Sequence, residues 1–203
     1  MLPSPCAAPE GAALAGRLLE LSERLAESGR RGEALDAARE ACQVLRDLAQ
    51  LDSGTYLPDL AEGLSVMAAR LREARRMREG VTAAQETVRI RRRLTRYDYD
   101  AHASGLARAL CRLAVDLSAS GELRDALASA QESVDLYRRL RRDDPFDDET
   151  GLAQALATLA CCLSESGRPS AAFVTTQQAL TVRRRLVRAD PDVHTRRLAA
   201  DLA

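Results

Sequence analysis

Leu-Ala pairs recur along the chain at Leu14, Leu60, Leu106, Leu152 and Leu198, and every interval is 46 residues. Positions are counted below as offsets from the leading Leu. Offset 4 is Leu18, Leu64, Leu110, Leu156 and Leu202; offset 7 is Leu21, Met67, Leu113 and Leu159. Offset 8 is small (Ser22, Ala68, Ala114, Ala160), and offset 11 is Leu25, Leu71, Leu117 and Leu163. Steps of 4, 3 and 4 draw one apolar stripe down a helix, so the pattern predicts a helix A in each unit. At offset 15 stand Gly29, Arg75, Gly121 and Gly167. A Gly there can take the left-handed conformation that ends a helix. Arg75 departs from the series and predicts a turn less favourable by about 1 kcal/mol.

A second helix, B, follows. Its small residues lie at offsets 20 (Ala34, Gly80, Ala126, Ala172), 24 (Ala38, Ala84, Ala130, Thr176) and 27 (Ala41, Thr87, Ser133, Ala179), on one face where another backbone can come close. Larger apolar residues fill offsets 21 (Leu35, Val81, Leu127, Phe173), 28 (Cys42, Val88, Val134, Leu180) and 34 (Leu48, Leu94, Leu140, Leu186). The pattern gives helix B about 20 residues, roughly 30 Å. It is expected to stop near the Asp at offset 38 (Asp52, Asp98, Asp144, Asp190), which Pro145 and Pro191 follow in the third and fourth units. A loop is then expected to lead to the next helix A. It would carry Tyr56, Tyr97, Tyr99 and Phe146, packed on the end of helix B, and His102 and His194 at offset 42.

Composition supports an almost entirely helical chain. Ala, Leu, Arg and Glu dominate and aromatic residues make up 3%, so helices must approach through Ala and Leu. Lys, Asn and Trp are absent and Ile90 is the single Ile, a bias expected of a GC-rich, bacterial genome, which lowers the functional weight of the Arg content. Thirty basic residues balance thirty acidic ones, so no bulk charge directs the chain to nucleic acid or membrane. The first residues, MLPSPCAAPEG, lack the basic and apolar regions of a signal peptide, and no apolar run reaches membrane-spanning length. A cytoplasmic location is expected.

At this point the residues carry a resemblance. Large at offset 4, Leu at 7, small at 8, large at 11, Ala at 20 and 27: the chain resembles the tetratricopeptide repeat (TPR) family, in the lengthened form of the kinesin-light-chain type found in bacterial regulators. That family's usual unit is about 34 residues, and here the terminating Pro comes about two turns late. The resemblance implies an all-α, right-handed α-solenoid of four TPR-like repeats, 14–59, 60–105, 106–151 and 152–197, plus the start of a fifth at 198–203, after a flexible lead at 1–13. It further implies a concave surface lined by helices A, where offsets 2, 5, 9, 12 and 13 face the groove. The residues expected there are Ser65, Ala69, Arg72, Arg108, Cys111, Val115, Ala157, Cys161 and Ser164.

The family's known binding modes transfer poorly. Chaperone-binding members use Lys and Asn, which this chain lacks. The Asn pair of kinesin-light-chain repeats is replaced by Leu19–Glu20, Ser65–Val66, Cys111–Arg112 and Ala157–Thr158. The expectation is a noncatalytic protein–protein interaction scaffold or sensor, within a larger regulatory protein, that takes a peptide or protein segment in a small, mildly apolar groove. No nucleophile–base constellation, phosphate loop or metal-ligand spacing occurs, so neither enzyme activity, metal nor cofactor is expected. The five Cys (Cys6, Cys42, Cys111, Cys161, Cys162) are expected to act as small hydrophobes.

Two alternatives remain. Arg92, Arg93 and Arg96, then Arg138, Arg139 and Arg142, then Arg184, Arg185 and Arg188 repeat at offsets 32, 33 and 36. They form either a convex phosphate- or nucleic-acid-binding ridge or cations at helix C-termini paired with the Asp at offset 38. The second alternative is self-association through an uncapped C-terminal face carrying Phe173, Leu180, Leu186, Leu198 and Leu202. That face is expected to be covered by a longer array or by another subunit.

Overall fold

The computed structural model describes residues 8–143 and 149–189. Among them are eight helices and no strand: α1 (Ala8–Glu27), α2 (Arg31–Leu51), α3 (Ser53–Glu73), α4 (Met77–Tyr97), α5 (Tyr99–Ala119), α6 (Leu123–Asp143), α7 (Glu149–Glu165) and α8 (Pro169–Ala189). They fall into two compact units, residues 1–98 and 99–203. In the first, α1 and α2 form one hairpin and α3 and α4 another, with α3 packed on α2. In the second, α5/α6 and α7/α8 repeat the arrangement, and α7 also packs on α5. Within each unit every helix packs mainly on its sequence neighbours, as in a TPR-like solenoid.

The predicted turns are present. Gly29, Gly121 and Gly167 have φ of +78°, +86° and +72°, and Arg75 takes the same conformation at +60°. Each closes helix A with the same pair of backbone bonds. In the first turn, Gly29 N–H donates to Ala26 O at 2.9 Å and Arg30 N–H to Leu25 O at 2.9 Å. The small offsets also behave as predicted: Ala34, Ala38, Ala41 and Ala126 are buried, as is Ala68. Where such a residue is Ser, it bonds across to the facing helix. Ser22 Oγ donates to Ala34 O at 2.8 Å, and Ser133 Oγ to Ala107 O at 2.7 Å. The core of unit 1 joins Ala15 of α1, Cys42 and Leu45 of α2, and Leu60 and Leu64 of α3.

The junction between repeats differs from expectation. No loop separates α2 from α3: Asp52 alone lies between them. Its N–H donates to Leu48 O at the end of α2, and its carboxylate accepts from Gly54 N–H at 3.0 Å and Thr55 N–H at 3.2 Å at the start of α3. One Asp therefore ends one helix and caps the next. Helix A accordingly begins seven residues before the leading Leu in α3 and α5, and α1 already includes Ala8 to Ala13. Tyr56 and His102 thus lie in helices A rather than in loops. Tyr99 opens α5, and Tyr97 closes α4 as an exposed residue. Phe146, His194, Asp144, Asp190 and both Pro145 and Pro191 lie outside the described residues.

The Thr55 hydroxyl, followed by the backbone N–H groups, holds the Asp52 carboxyl below the ordinary carboxylate range. The cap therefore contributes fully above the ordinary carboxylate pKa and is lost as pH falls through the lowered value. Asp52→Ala should lower the melting temperature at neutral pH, and the difference from the parent chain should shrink in acid. Thermal melts by circular dichroism between neutral and strongly acidic pH read both effects.

Candidate functional site

The expected groove residues do not share one environment. On α3, Ser65, Ala69 and Arg72 are all partly buried. In unit 2, Arg108 and Val115 on α5 and Cys161 and Ser164 on α7 are exposed, and Ala157 is partly buried. Cys111, expected to face the groove, is instead buried between α5 and α7, with its Sγ 3.2 Å from Thr158 Oγ1. About two turns further along, Ser118 Oγ bonds the Glu165 carboxylate. These two contacts join the same pair of helices A at a separation of 47 residues.

Thr158 and Glu165 were not among the residues expected from the pattern. The available signal was a polar residue 47 positions after a groove-side Cys or Ser, since helix A of one repeat meets the next about one period on. Asp116, a buried carboxylate on α5, was likewise absent from the expectation.

Three of the thiols, Cys42, Cys111 and Cys162, are buried. Burial pushes the Cys111 thiol up, more than the Thr158 hydroxyl and Arg112 lower it. Burial also raises Cys162, against a weaker opposing effect of the Ser118 hydroxyl. Burial raises Cys42 to about 12. Such groups stay protonated at neutral pH and behave as small apolar residues. Cys161 is exposed, and Cys6 lies outside the described residues. Among the described residues no group of His, Cys, Asp or Glu is arranged to hold a metal ion.

On the α5 and α7 helices of unit 2 the exposed residues have mixed chemistry. Val115 and Cys161 supply apolar surface, and Arg108 and Arg112 supply cationic groups. Ser164 and Glu165 lie at the far end of α7.

Two of the four Arg at offset 32 bridge neighbouring helices B. Arg46 on α2 reaches Glu86 on α4 at 2.9 Å, and Arg138 on α6 reaches Gln178 on α8 at 3.0 Å. Each spans 40 residues, from offset 32 of one helix B to offset 26 of the next. For Arg46 and Arg138 a partner lies on the next helix B. Arg93, Arg96, Arg139, Arg185 and Arg188 remain exposed. The side chain of Arg142 lies outside the described residues.

Residues 106–146, the third repeat, match the model of the tetratricopeptide repeat family. The match covers that repeat alone; the fold of the chain is TPR-like. Solved TPR-like structures match it in fold. BtubC (BKLC) from P. vanneervenii superposes with a TM-score of 0.69 at 16% identity, over 85% of this chain and 64% of that one. The apo form of RapI gives 0.68 at 10% identity, over 86% of this chain and 44% of that one. A kinesin-light-chain-type protein of nearly identical TPR-like repeats from Podosopora anserina gives 0.60 at 14%, over 86% and 77%. The chain thus spans less than two thirds of the first two proteins. No curated protein matches it in sequence. Among the described residues no helix is long and apolar enough to cross a membrane. The TPR-like fold generally serves protein–protein interaction.

Proposed function

We propose that the chain is a noncatalytic protein–protein interaction module whose recognition surface is the exposed α5/α7 face of unit 2. The observation that carries this reading is the pair Val115 and Cys161, apolar and exposed on adjacent helices A, beside Arg108 and Arg112. The fitting ligand is a peptide or protein segment with an apolar anchor flanked by acidic residues. Its cytoplasmic setting and its place within a larger regulatory protein belong to the same proposal. The phosphate-ridge reading is the weaker one, because Arg46 and Arg138 at offset 32 are engaged by the neighbouring helix B.

Changing Arg108 and Val115 together to Glu tests the surface. Val115 is exposed, so helix content and melting temperature should stay close to those of the parent chain. A partner recovered by the parent chain should be lost by the variant, with at least about tenfold weaker binding. Equal recovery by both would remove the α5/α7 assignment.

A further inference from the structure

The C-terminal half of α4, Thr87 to Tyr97, contains Arg89, Arg91, Arg92, Arg93 and Arg96 and no acidic residue. The acidic residues of α4 lie earlier and are engaged. Glu79 meets Arg39 of α2 at 3.5 Å, and Glu86 meets Arg46 of α2 at 2.9 Å. Arg91 is held by Glu62 of α3 at 3.0 Å. Arg89, Arg93 and Arg96 are exposed, and among the described residues none of the three makes an ion pair.

These three residues follow one another at helical spacing, so they share a stripe about 10 Å long at 1.5 Å per residue. Tyr97, four residues after Arg93, closes the stripe and is 78% exposed. The same offsets on α2 hold Gln43, Asp47 and Gln50, and Gln43 bonds Asp47 at 3.0 Å. The stripe leaves out offset 32, where Arg46 bridges α2 to α4.

The chemistry selects among partners. Protein interfaces are apolar and depleted of charge at their centres, and the apolar side of α4 (Val81, Ala84, Val88, Leu94) is already buried. A bilayer surface takes up an amphipathic helix through that same apolar side. A nucleic-acid strand needs no apolar face, because its affinity comes from released counterions. Guanidinium forks match phosphate oxygens, and an exposed aromatic ring offers a base a surface to stack on. At about 3.4 Å of axis per phosphate in one strand of a duplex, the stripe matches about three phosphates.

We propose that α4 carries a sequence-nonspecific site for single-stranded nucleic acid, with Arg89, Arg93 and Arg96 on the phosphates and Tyr97 stacked on a base. The site lies on a different helix and in a different unit from the α5/α7 surface, and it does not rest on that reading.

Fluorescence anisotropy of a labelled single-stranded DNA of mixed sequence, titrated with the full chain from about 20 to about 200 mM salt, tests the site. Binding should be measurable at the lowest salt. The logarithm of the association constant should fall against that of salt with a slope near about −2, from three phosphates at about 0.7 each. Changing Arg89, Arg93 and Arg96 together to Gln should weaken binding at least about tenfold and flatten the slope. The melting temperature should stay close to that of the parent chain, since all three are exposed. Tyr97→Ala should weaken binding about fivefold or more and leave the slope unchanged. Absence of binding at the lowest salt overturns the proposal. So does binding that the Arg variant leaves unchanged, which would place the contact on another surface. Equal binding of polyglutamate would assign the stripe to an acidic protein instead, and tighter binding of phosphatidylserine vesicles would assign it to a lipid surface. A Tyr97→Ala variant equal to the parent chain would overturn the stacked single strand.

Discussion

Gly151→Ala is expected to destabilise unit 2 by about 3 kcal/mol, the upper end of the usual cost of overpacking a core. A Cβ built on Gly151 would stand inside the ring of Tyr137, 2.8 Å from its hydroxyl oxygen. Tyr137 is buried on α6 and Gly151 lies in the first turn of α7, so the added methyl meets an aromatic ring with nowhere to retreat. Gly63 provides the contrast. Its Cβ would meet Leu45 Cδ1 at 3.0 Å and Cys42 Sγ at 3.5 Å, and the tip of a Leu can give way. Gly63→Ala should therefore cost well under half as much. Leu45 and Tyr137 share offset 31, so Tyr137→Leu should rescue much of the Gly151→Ala loss. Urea denaturation of the two single variants and the double variant measures the coupling. Additive effects would mean that the Tyr137 ring is not the obstacle.

Restoring the second repeat to the pattern of the others should raise stability by about 1.5–2 kcal/mol. Arg75 sits at φ +60°, and its turn is otherwise the same as those of the glycines: Arg76 N–H donates to Leu71 O at 2.9 Å and Arg75 N–H to Arg72 O at 3.0 Å. Arg75→Gly keeps both bonds and removes the cost of a Cβ in a left-handed conformation, about 1 kcal/mol. Gly80 is the converse case, a glycine inside α4 where the other three repeats have Ala. Its Cβ would lie 3.6 Å from Ala68 O and 3.6 Å from Leu71 Cβ, ordinary contact distances. Gly80→Ala should add about 0.5–1 kcal/mol through reduced freedom of the unfolded chain. The double variant should shift the urea midpoint upward with the slope unchanged. A loss on Arg75→Gly would show that the Arg side chain makes a contact worth more than its backbone cost.

The period, the apolar stripe of helix A and the glycine turns were legible in the sequence because each rests on a local rule: helical spacing, or the freedom of a residue without a Cβ. The beginning of helix A was not legible. Tyr, His, Gly and Pro cluster before each leading Leu, and that composition reads as a loop. Pro58 nevertheless lies inside α3, and Asp52 replaces the loop by satisfying both helix ends at once. The candidate site was read at the level of helix faces only. Offset 5 was assigned to the groove by resemblance, and the structure buries it in Cys111 because Thr158 lies against it. How far two helices A approach depends on the size of both partners, and a pattern within one repeat does not contain that. The same holds for the Arg at offset 32, whose partner lies 40 residues away on another helix.

The single-residue junction at Asp52 leaves the chain with no slack to absorb a change of length. One inserted residue would turn the following helix by about 100° and carry Leu60 and Leu64 away from Cys42 and Leu45. Length can therefore change here without loss of packing only by whole repeats, so insertions and deletions tolerated by this molecule should be counted in units of 46 residues, with α2–α3 the last place to accept a stray one.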